Sequence, residues 1–287
     1  MTRLAPAALA ALLLTAAFAP PTLETWAPAG ISSDQFESHA AFDPRTGDVY
    51  FVRSRPDFSG WRILMSRCTA SGWSAPADPP FAGDGQEADP WFTADGRTLY
   101  FISNRTTDGI KRADLDLWRV DRDAAGRWGT PVRLPPQVNS TTYEWFPRPS
   151  ADGWLYYGSG RPGGQGKTDI WRARQDAGGA WRTENLGPNV NSAKGEFEAL
   201  PSPDGKSLIV QSDDGYFETH KAADGGWSPR KLLVPEINVN GSEIGMTASP
   251  SGRTLMFARD TKGPKSGEFF VWRRGGHETW PPTCPRR

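Results

Sequence analysis

The stretch Glu144-Trp145-Phe146-Pro147-Arg148-Pro149-Ser150-Ala151-Asp152-Gly153 is followed by Trp154-Leu155-Tyr156-Tyr157, by Asp169-Ile170-Trp171-Arg172 and by Gly179-Ala180-Trp181. It reads as one four-stranded unit, and the rest of the chain as degenerate copies of it. The turn glycine recurs at Gly47, Gly96, Gly153, Gly205 and Gly252, at spacings of 49, 57, 52 and 47 residues. A recurrence of that length marks a solenoid or a propeller blade. Nine residues before four of these glycines stands a glutamate: Glu87, Glu144, Glu196 and Glu243. In the first copy the offset is ten, from Glu37, because the turn Asp43-Pro44-Arg45-Thr46-Gly47 carries one extra residue.

After each turn comes a short apolar run, as in Val49-Tyr50-Phe51-Val52, Leu99-Tyr100-Phe101-Ile102 and Leu255-Met256-Phe257. Unalternating runs of β-branched and aromatic residues suit a strand buried on both faces. Asp-Gly pairs supply the positive φ of tight hairpins. A third strand is predicted at Ile63-Leu64-Met65, Leu117-Trp118, Ile170-Trp171, Tyr216-Phe217 and Phe269-Phe270, and a fourth beginning at Trp73, Trp128, Trp181, Trp227 or Trp280. Four short antiparallel strands per unit, repeated radially, make a β-propeller. The density of Gly and Pro, and the lack of any long 3.6-residue apolar pattern, exclude helical repeats. The expected fold is therefore an all-β propeller, with repeats near 37–80, 87–135, 144–187, 196–234 and 243–281. Trp26-Ala27-Pro28 echoes the outer-strand pattern of Trp73-Ser74-Ala75-Pro76, so an N-terminal strand is expected to complete the last of five blades. The alternative is a degenerate sixth blade.

Residues 1–19 read as a secretory leader: Arg3, then an Ala- and Leu-rich stretch to Ala19 before Pro20-Pro21. The apolar stretch is short of the ~20 residues of a membrane span. A single propeller domain over 20–287, exported to the periplasm or beyond, is the expectation. The two cysteines then acquire meaning. Cys68 lies after the third strand of the first blade and Cys284 in the tail after the last, so a closed ring makes them neighbours. They either form a disulfide that staples the ring, in a compartment where disulfides persist, or remain two separate thiols.

Copies such as Ser202-Pro203-Asp204-Gly205-Lys206, Ser103-Asn104-Arg105 and Ser159-Gly160-Arg161-Pro162-Gly163-Gly164 resemble the WD40-like Pro-Asp (PD40) repeats of TolB-like exported propellers. The resemblance spans about Ser33 to Trp280. The first and fifth copies have lost the Pro-Asp-Gly core. It implies a periplasmic propeller that binds a protein or an envelope component. The extra N-terminal domain of TolB-like proteins has no counterpart stretch here, so function is not carried over with fold.

Candidate chemistry falls into three groups. Glu37, Glu87, Glu144, Glu196 and Glu243 open each innermost strand and are expected near one mouth of the channel. They either capture a ligand there or accept backbone N–H bonds that join the repeats. Trp145, beside Glu144, is a candidate ligand platform, whereas the in-register tryptophans read as blade packing. The carboxylates Asp43, Asp89, Glu198, Asp213 and Asp214 leave room for a glycan-active enzyme or a lectin, although nothing in the sequence singles out a catalytic pair. Hydrolase chemistry has little material: Gly158-Ser159-Gly160 is too short for a nucleophile elbow, and His39, His220 and His277 fall in different repeats. No zinc or calcium spacing is present, so no metal or cofactor is expected.

With 33 basic and 33 acidic residues and no Lys/Arg block, nucleic acid is not an expected partner. Asn104, Asn139 and Asn240 begin Asn-x-Ser/Thr triplets, which matter only in a glycosylating host. The long insertions Thr106–Asp114 and Arg161–Thr168 mark the face expected to carry specificity. The functional expectation is an exported, non-enzymatic binding propeller, monomeric, holding a protein or cell-envelope ligand on one face.

Overall fold

A computed structural model describes residues 20–239, 242–263, 267–275 and 278–284. The leader at 1–19, His277 and Asn240 lie outside the described residues. Secondary structure among the described residues is strand and turn throughout. The chain opens with β1 (Thr22–Trp26), then β2 (Phe36–Phe42), β3 (Val49–Ser54) and β4 (Arg62–Ser66), with a small ribbon of β5 (Cys68–Thr69) and β6 (Gly72–Trp73). Three four-stranded antiparallel sheets follow. They are β7 (Glu87–Phe92), β8 (Thr98–Ser103), β9 (Asp116–Asp121), β10 (Val132–Arg133); then β11 (Glu144–Pro149), β12 (Leu155–Ser159), β13 (Asp169–Gln175), β14 (Trp181–Asn185); then β15 (Glu196–Pro201), β16 (Ser207–Ser212), β17 (Gly215–His220), β18 (Lys231–Leu232). The last group is β19 (Glu243–Ala248), β20 (Thr254–Asp260) and β21 (Gly267–Arg273).

The fourth strand of that last group comes from the other end of the chain. β1 runs antiparallel to β21, with Thr22 opposite Arg273 and Trp26 opposite Phe269. The tail around Trp280 forms no strand. Its indole instead packs on Phe42 in a core cluster that also takes in Trp26 and Phe269. The first strand of each sheet touches that of the next, from β2 through β7, β11 and β15 to β19, and β19 touches β2. At the seam between first and last groups, Cys68 and Cys284 form a disulfide with Cα atoms 5.4 Å apart across 216 residues of sequence. Crosslinks over long loops typically stabilise by about 2–4 kcal/mol by restricting the unfolded chain.

Local sequence explains the hairpins. Each turn glycine takes a positive φ, from 64° at Gly96 to 85° at Gly153. The N–H of Gly96, Gly153, Gly205 and Gly252 bonds the carbonyl three residues back, whereas Gly47 reaches Asp43, four back, across the extra residue. The in-register tryptophans pack between sheets: Trp128 against Tyr50 and Phe92, Trp227 against Tyr156. A further repeated device is an asparagine in the loop leading to the next sheet. Asn139, Asn191 and Asn238 each accept from one third-strand N–H (Leu117, Ile170, Tyr216) and donate back to the carbonyl of the same residue. Asn139 is thereby buried, its amide held by backbone, whatever the triplet that follows it.

Candidate functional site

The five glutamates sit where first and second strands of their sheets begin and end, and every one is buried, at 0–3% exposure. Each carboxylate accepts a backbone N–H from the residue four positions earlier: Ser33, Gly83, Ser140, Ser192 or Val239. Each also meets an arginine. Arg53, Arg105, Arg161 and Arg259 reach Glu37, Glu87, Glu144 and Glu243 from the end of the second strand or just beyond it. In the fourth sheet Arg230, from the approach to β18, takes that place against Glu196 at 2.8 Å. Burial pushes the Glu87 and Glu144 carboxyls up despite these partners. The reading of these side chains as ligand groups is therefore corrected: they are enclosed and spent on joining loop, first strand and second strand into a collar. Ser159 belongs to the same collar, its hydroxyl donating to Glu144 at 2.8 Å.

The residues directly after the glutamates behave differently. The first strands bulge there, with register shifts between Ser38 and Ala41, Ala88 and Trp91, Trp145 and Arg148, and Ile244 and Thr247. At the second position after the glutamate the chain takes the left-handed region: His39 (φ 54°), Asp89 (56°), Phe146 (49°) and Gly245 (67°). Three of those four are not glycine, a conformation of uncommon cost for a side-chain-bearing residue and frequent at functional sites. Gly245 itself has no alternative, since a Cβ there would lie 2.8 Å from the His39 ring. Bulges re-aim side chains, and here His39, Asp89 and Phe146 come to line one cavity.

The result is a cavity of about 230 Å³ lined by His39, Phe58, Trp61, Asp89, Trp145 and Phe197 among others. Its walls are aromatic. Trp61 stands edge-on to Trp145 at 5.9 Å and to Phe58 at a tilt with centroids 5.4 Å apart. Tyr143, 47% exposed, stacks on the outer side of Trp145 at 5.6 Å. Trp145 thus lines a pocket at the end of the sheets where the β8–β9 and β12–β13 connections, with both long insertions, also lie.

The floor is polar and connected. His39 Nδ1 lies 2.6 Å from Ser38 Oγ, and its Nε2 lies 3.2 Å from Asp89 Oδ1. With the serine hydroxyl donating to Nδ1, Nε2 carries the hydrogen and donates to the carboxylate. Asp89 Oδ2 accepts the Phe146 N–H at 2.8 Å, and the His39 ring stacks on Phe146 at 5.1 Å. Beneath lies Arg148, 1% exposed, bonded through Nε and Nη2 to Glu198 Oε1 and covered by the Trp91 ring at 4.2 Å. Glu198 Oε2 accepts from Tyr216 Oη at 3.2 Å and from Met246 N at 3.1 Å. Burial drives the Asp89 carboxyl up to about 7, against the lowering field of Arg148. Burial and the same arginine hold His39 down to about 3. Asp89 therefore exchanges its proton near neutrality while His39 stays an uncharged donor.

The other candidates stay apart from this site. Asp43 pairs with Arg122, Asp213 accepts from Gly195 N, and Asp214 pairs with Lys194 at 2.6 Å. His220 is exposed on the outer part of its sheet beside Glu218. Among the described residues no group of three or more His, Cys, Asp and Glu is placed to hold a metal ion, and no helix is long and apolar enough to cross a membrane. Sequence inspection named His39, Asp89 and Glu198 separately and passed over Arg148 and Phe146. The available signal was position: the two residues after the invariant glutamate differ in every repeat.

No protein-family model matches the chain, and no curated protein matches it. Solved structures do. A protein from Agrobacterium tumefaciens assigned as TolB is 17% identical, with a TM-score of 0.52 over 84% of this chain and 78% of that one. One from Bacteroides thetaiotaomicron assigned as a phosphatase is 13% identical, with a TM-score of 0.51 over 81% of this chain and 57% of that one. At these identities the likeness is one of fold: the chain is an all-β protein of antiparallel four-stranded sheets, similar in architecture to TolB-like propellers.

Proposed function

We propose that this protein is an exported binding propeller of five blades, closed by β1 on the last blade, that holds a protein or cell-envelope ligand in the aromatic pocket at one mouth of the ring. One observation carries the reading. The collar repeats in every sheet, whereas the pocket is built from the positions at which the repeats diverge, and asymmetry in a repeat protein is where a specific ligand is recognised. The leader-like residues 1–19 and the Cys68–Cys284 disulfide suit export to an oxidising compartment such as the periplasm. Half-buried Phe58, Trp61, Trp145, Phe197 and Ile244 provide the rim on which an inserted group would lose water.

A glycan ligand is the second reading, supported by the half-buried indoles of Trp61 and Trp145 in the pocket wall, since aromatic rings suit stacking on sugar rings. A glycosidase needs two working carboxyl groups. Asp89 lines the pocket, but Glu198 is bound to Arg148, Tyr216 and Met246. That arrangement favours binding over hydrolysis.

The test places a photo-crosslinking amino acid at Tyr143, in cells of the native host, and identifies adducts by mass spectrometry. One dominant protein adduct that disappears in a Phe197→Arg variant, whose side chain fills the pocket, is the expected result. Adducts unchanged by Phe197→Arg would overturn the pocket as the binding site. Loss of all protein adducts, with retention on a polysaccharide matrix, would transfer the assignment to a glycan.

A further inference from the structure

We infer that the group received by the mouth pocket is an ammonium cation, as on a lysine side chain or a methylated amine, caged by aromatic rings above Asp89. This rests on the reading of the pocket as the binding site and adds the chemistry of what enters it.

The first ground is a charge count at the floor. Two carboxylates, Asp89 and Glu198, face one guanidinium, that of Arg148. Arg148 gives Nε and Nη2 to Glu198 and Nη1 to the Pro147 carbonyl. Tyr216 and Met246 also serve Glu198. What remains for Asp89 is the Phe146 N–H, the uncharged His39 and the field of Arg148, whose N–H groups go elsewhere. Ionised Asp89 is therefore one buried negative charge without a cation of its own, which is costly unless a cation arrives.

The second ground is the wall. Phe58, Trp61, Trp145, Phe146 and Phe197 line the cavity, with Trp61 and Trp145 meeting edge to face at 74°. Ring faces attract cations, and aromatic cages with a carboxylate are how ammonium groups are recognised. Among the described residues no Lys or Arg lines the cavity to oppose one. The third ground is Gln211, which also lines the pocket. Its Nε2 donates to the Glu243 carbonyl at 3.1 Å, while its buried Oε1 has no hydrogen-bond partner among the described residues. An N–H-bearing cation supplies that acceptor with a donor.

The experiment is calorimetric titration of the disulfide-intact protein at pH 8 with Nα-acetyl-lysine methylamide, its Nε-trimethyl form and the uncharged norleucine analogue. The expected result is a preference of about tenfold or more for the cations, from cation–π attraction and the Asp89 charge together. The preference should shrink in Asp89→Asn with norleucine binding retained, and that of the N–H-bearing lysine derivative, but not of its trimethyl form, should also shrink in Gln211→Met. Below pH 7 cation binding should weaken in the native protein and release protons, as Asp89 must ionise. Equal binding of norleucine, or a cation preference undiminished in Asp89→Asn, would overturn the caging of an ammonium above Asp89 while leaving the apolar pocket a binding site. No binding of any of the three, with the Tyr143 adduct still lost on Phe197→Arg, would likewise overturn only this inference. No binding and no pocket-dependent adduct would overturn both.

Discussion

The collar and the floor lie two to four residues apart in sequence and obey opposite rules. At the collar, five glutamates take the same backbone partner and an arginine each, and are sealed from solvent. One and two positions later the side chains are Ser38 and His39, Ala88 and Asp89, Trp145 and Phe146, Phe197 and Glu198, Ile244 and Gly245. A repeated geometry leaves repeated orphan N–H groups, and one residue type solves that problem everywhere. On the proposed function, a ligand in the pocket meets several repeats at once, so nothing requires these positions to agree. The difference teaches that in this molecule recurrence marks architecture and divergence marks the candidate site.

The largest expected effect lies under the floor. Arg148→Met leaves Glu198 and Asp89 as buried carboxylates with no cation, and should cost about 3–5 kcal/mol in urea unfolding. Adding Glu198→Gln should restore part of the loss, because the two sites share one interaction. An Arg148→Met protein as stable as the parent would break the claim that the floor is an electrostatic unit.

Next comes a direct contrast between neighbours. Glu144→Ala strands the Ser140 N–H, two hydroxyls and Arg161, and should destabilise by about 1–3 kcal/mol while leaving ligand capture intact. Trp145→Ala, in a half-buried rim position, should change stability by less, about 1 kcal/mol, yet abolish the crosslinked adduct. The opposite pattern would erase the distinction between collar and site.

The last contrast is in the pH dependence of stability, where two groups oppose each other. Asp89 holds its proton more tightly folded, at about 7, than at its ordinary 3.8, so its contribution is full below pH 4 and is lost as pH rises toward 7. His39 holds its proton less tightly folded, at about 3 against 6.5, so its contribution is full above 6.5 and is lost as pH falls toward 3. Between about pH 4 and 6.5 the slopes cancel, and the native protein should show a nearly flat profile from this pair. Asp89→Asn should unmask a stability that rises with pH over that window. A variant as flat as the parent would show that the two groups are not buried together.

The architecture was legible because its causes are local. Asp-Gly turns such as Asp152-Gly153, unalternating runs such as Leu99 to Ile102, and glutamates in fixed register with both each report on a few neighbouring residues. Trp26 announced a strand like the outer ones, and in the structure β1 lies beside β21. The site was legible only in outline. Trp145 stood beside the collar in sequence, but the role of Glu144 was open, since either a ligand or an N–H can satisfy a carboxylate. Solvent exposure decided it, and exposure belongs to the folded chain.

By itself, then, the amino-acid order determined an all-β repeat with its turns, buried second strands and two cysteines at the ends of the chain's first and last units. Tertiary structure alone decided which side chains share the axis. His39, Asp89, Arg148 and Glu198 come from four different first strands, up to 159 residues apart in number. Their bulges turn them inward, and their charges acquire meaning from one another in a space water hardly enters. Such long-range electrostatics has no periodicity to read, because each repeat contributes a different residue to a single centre.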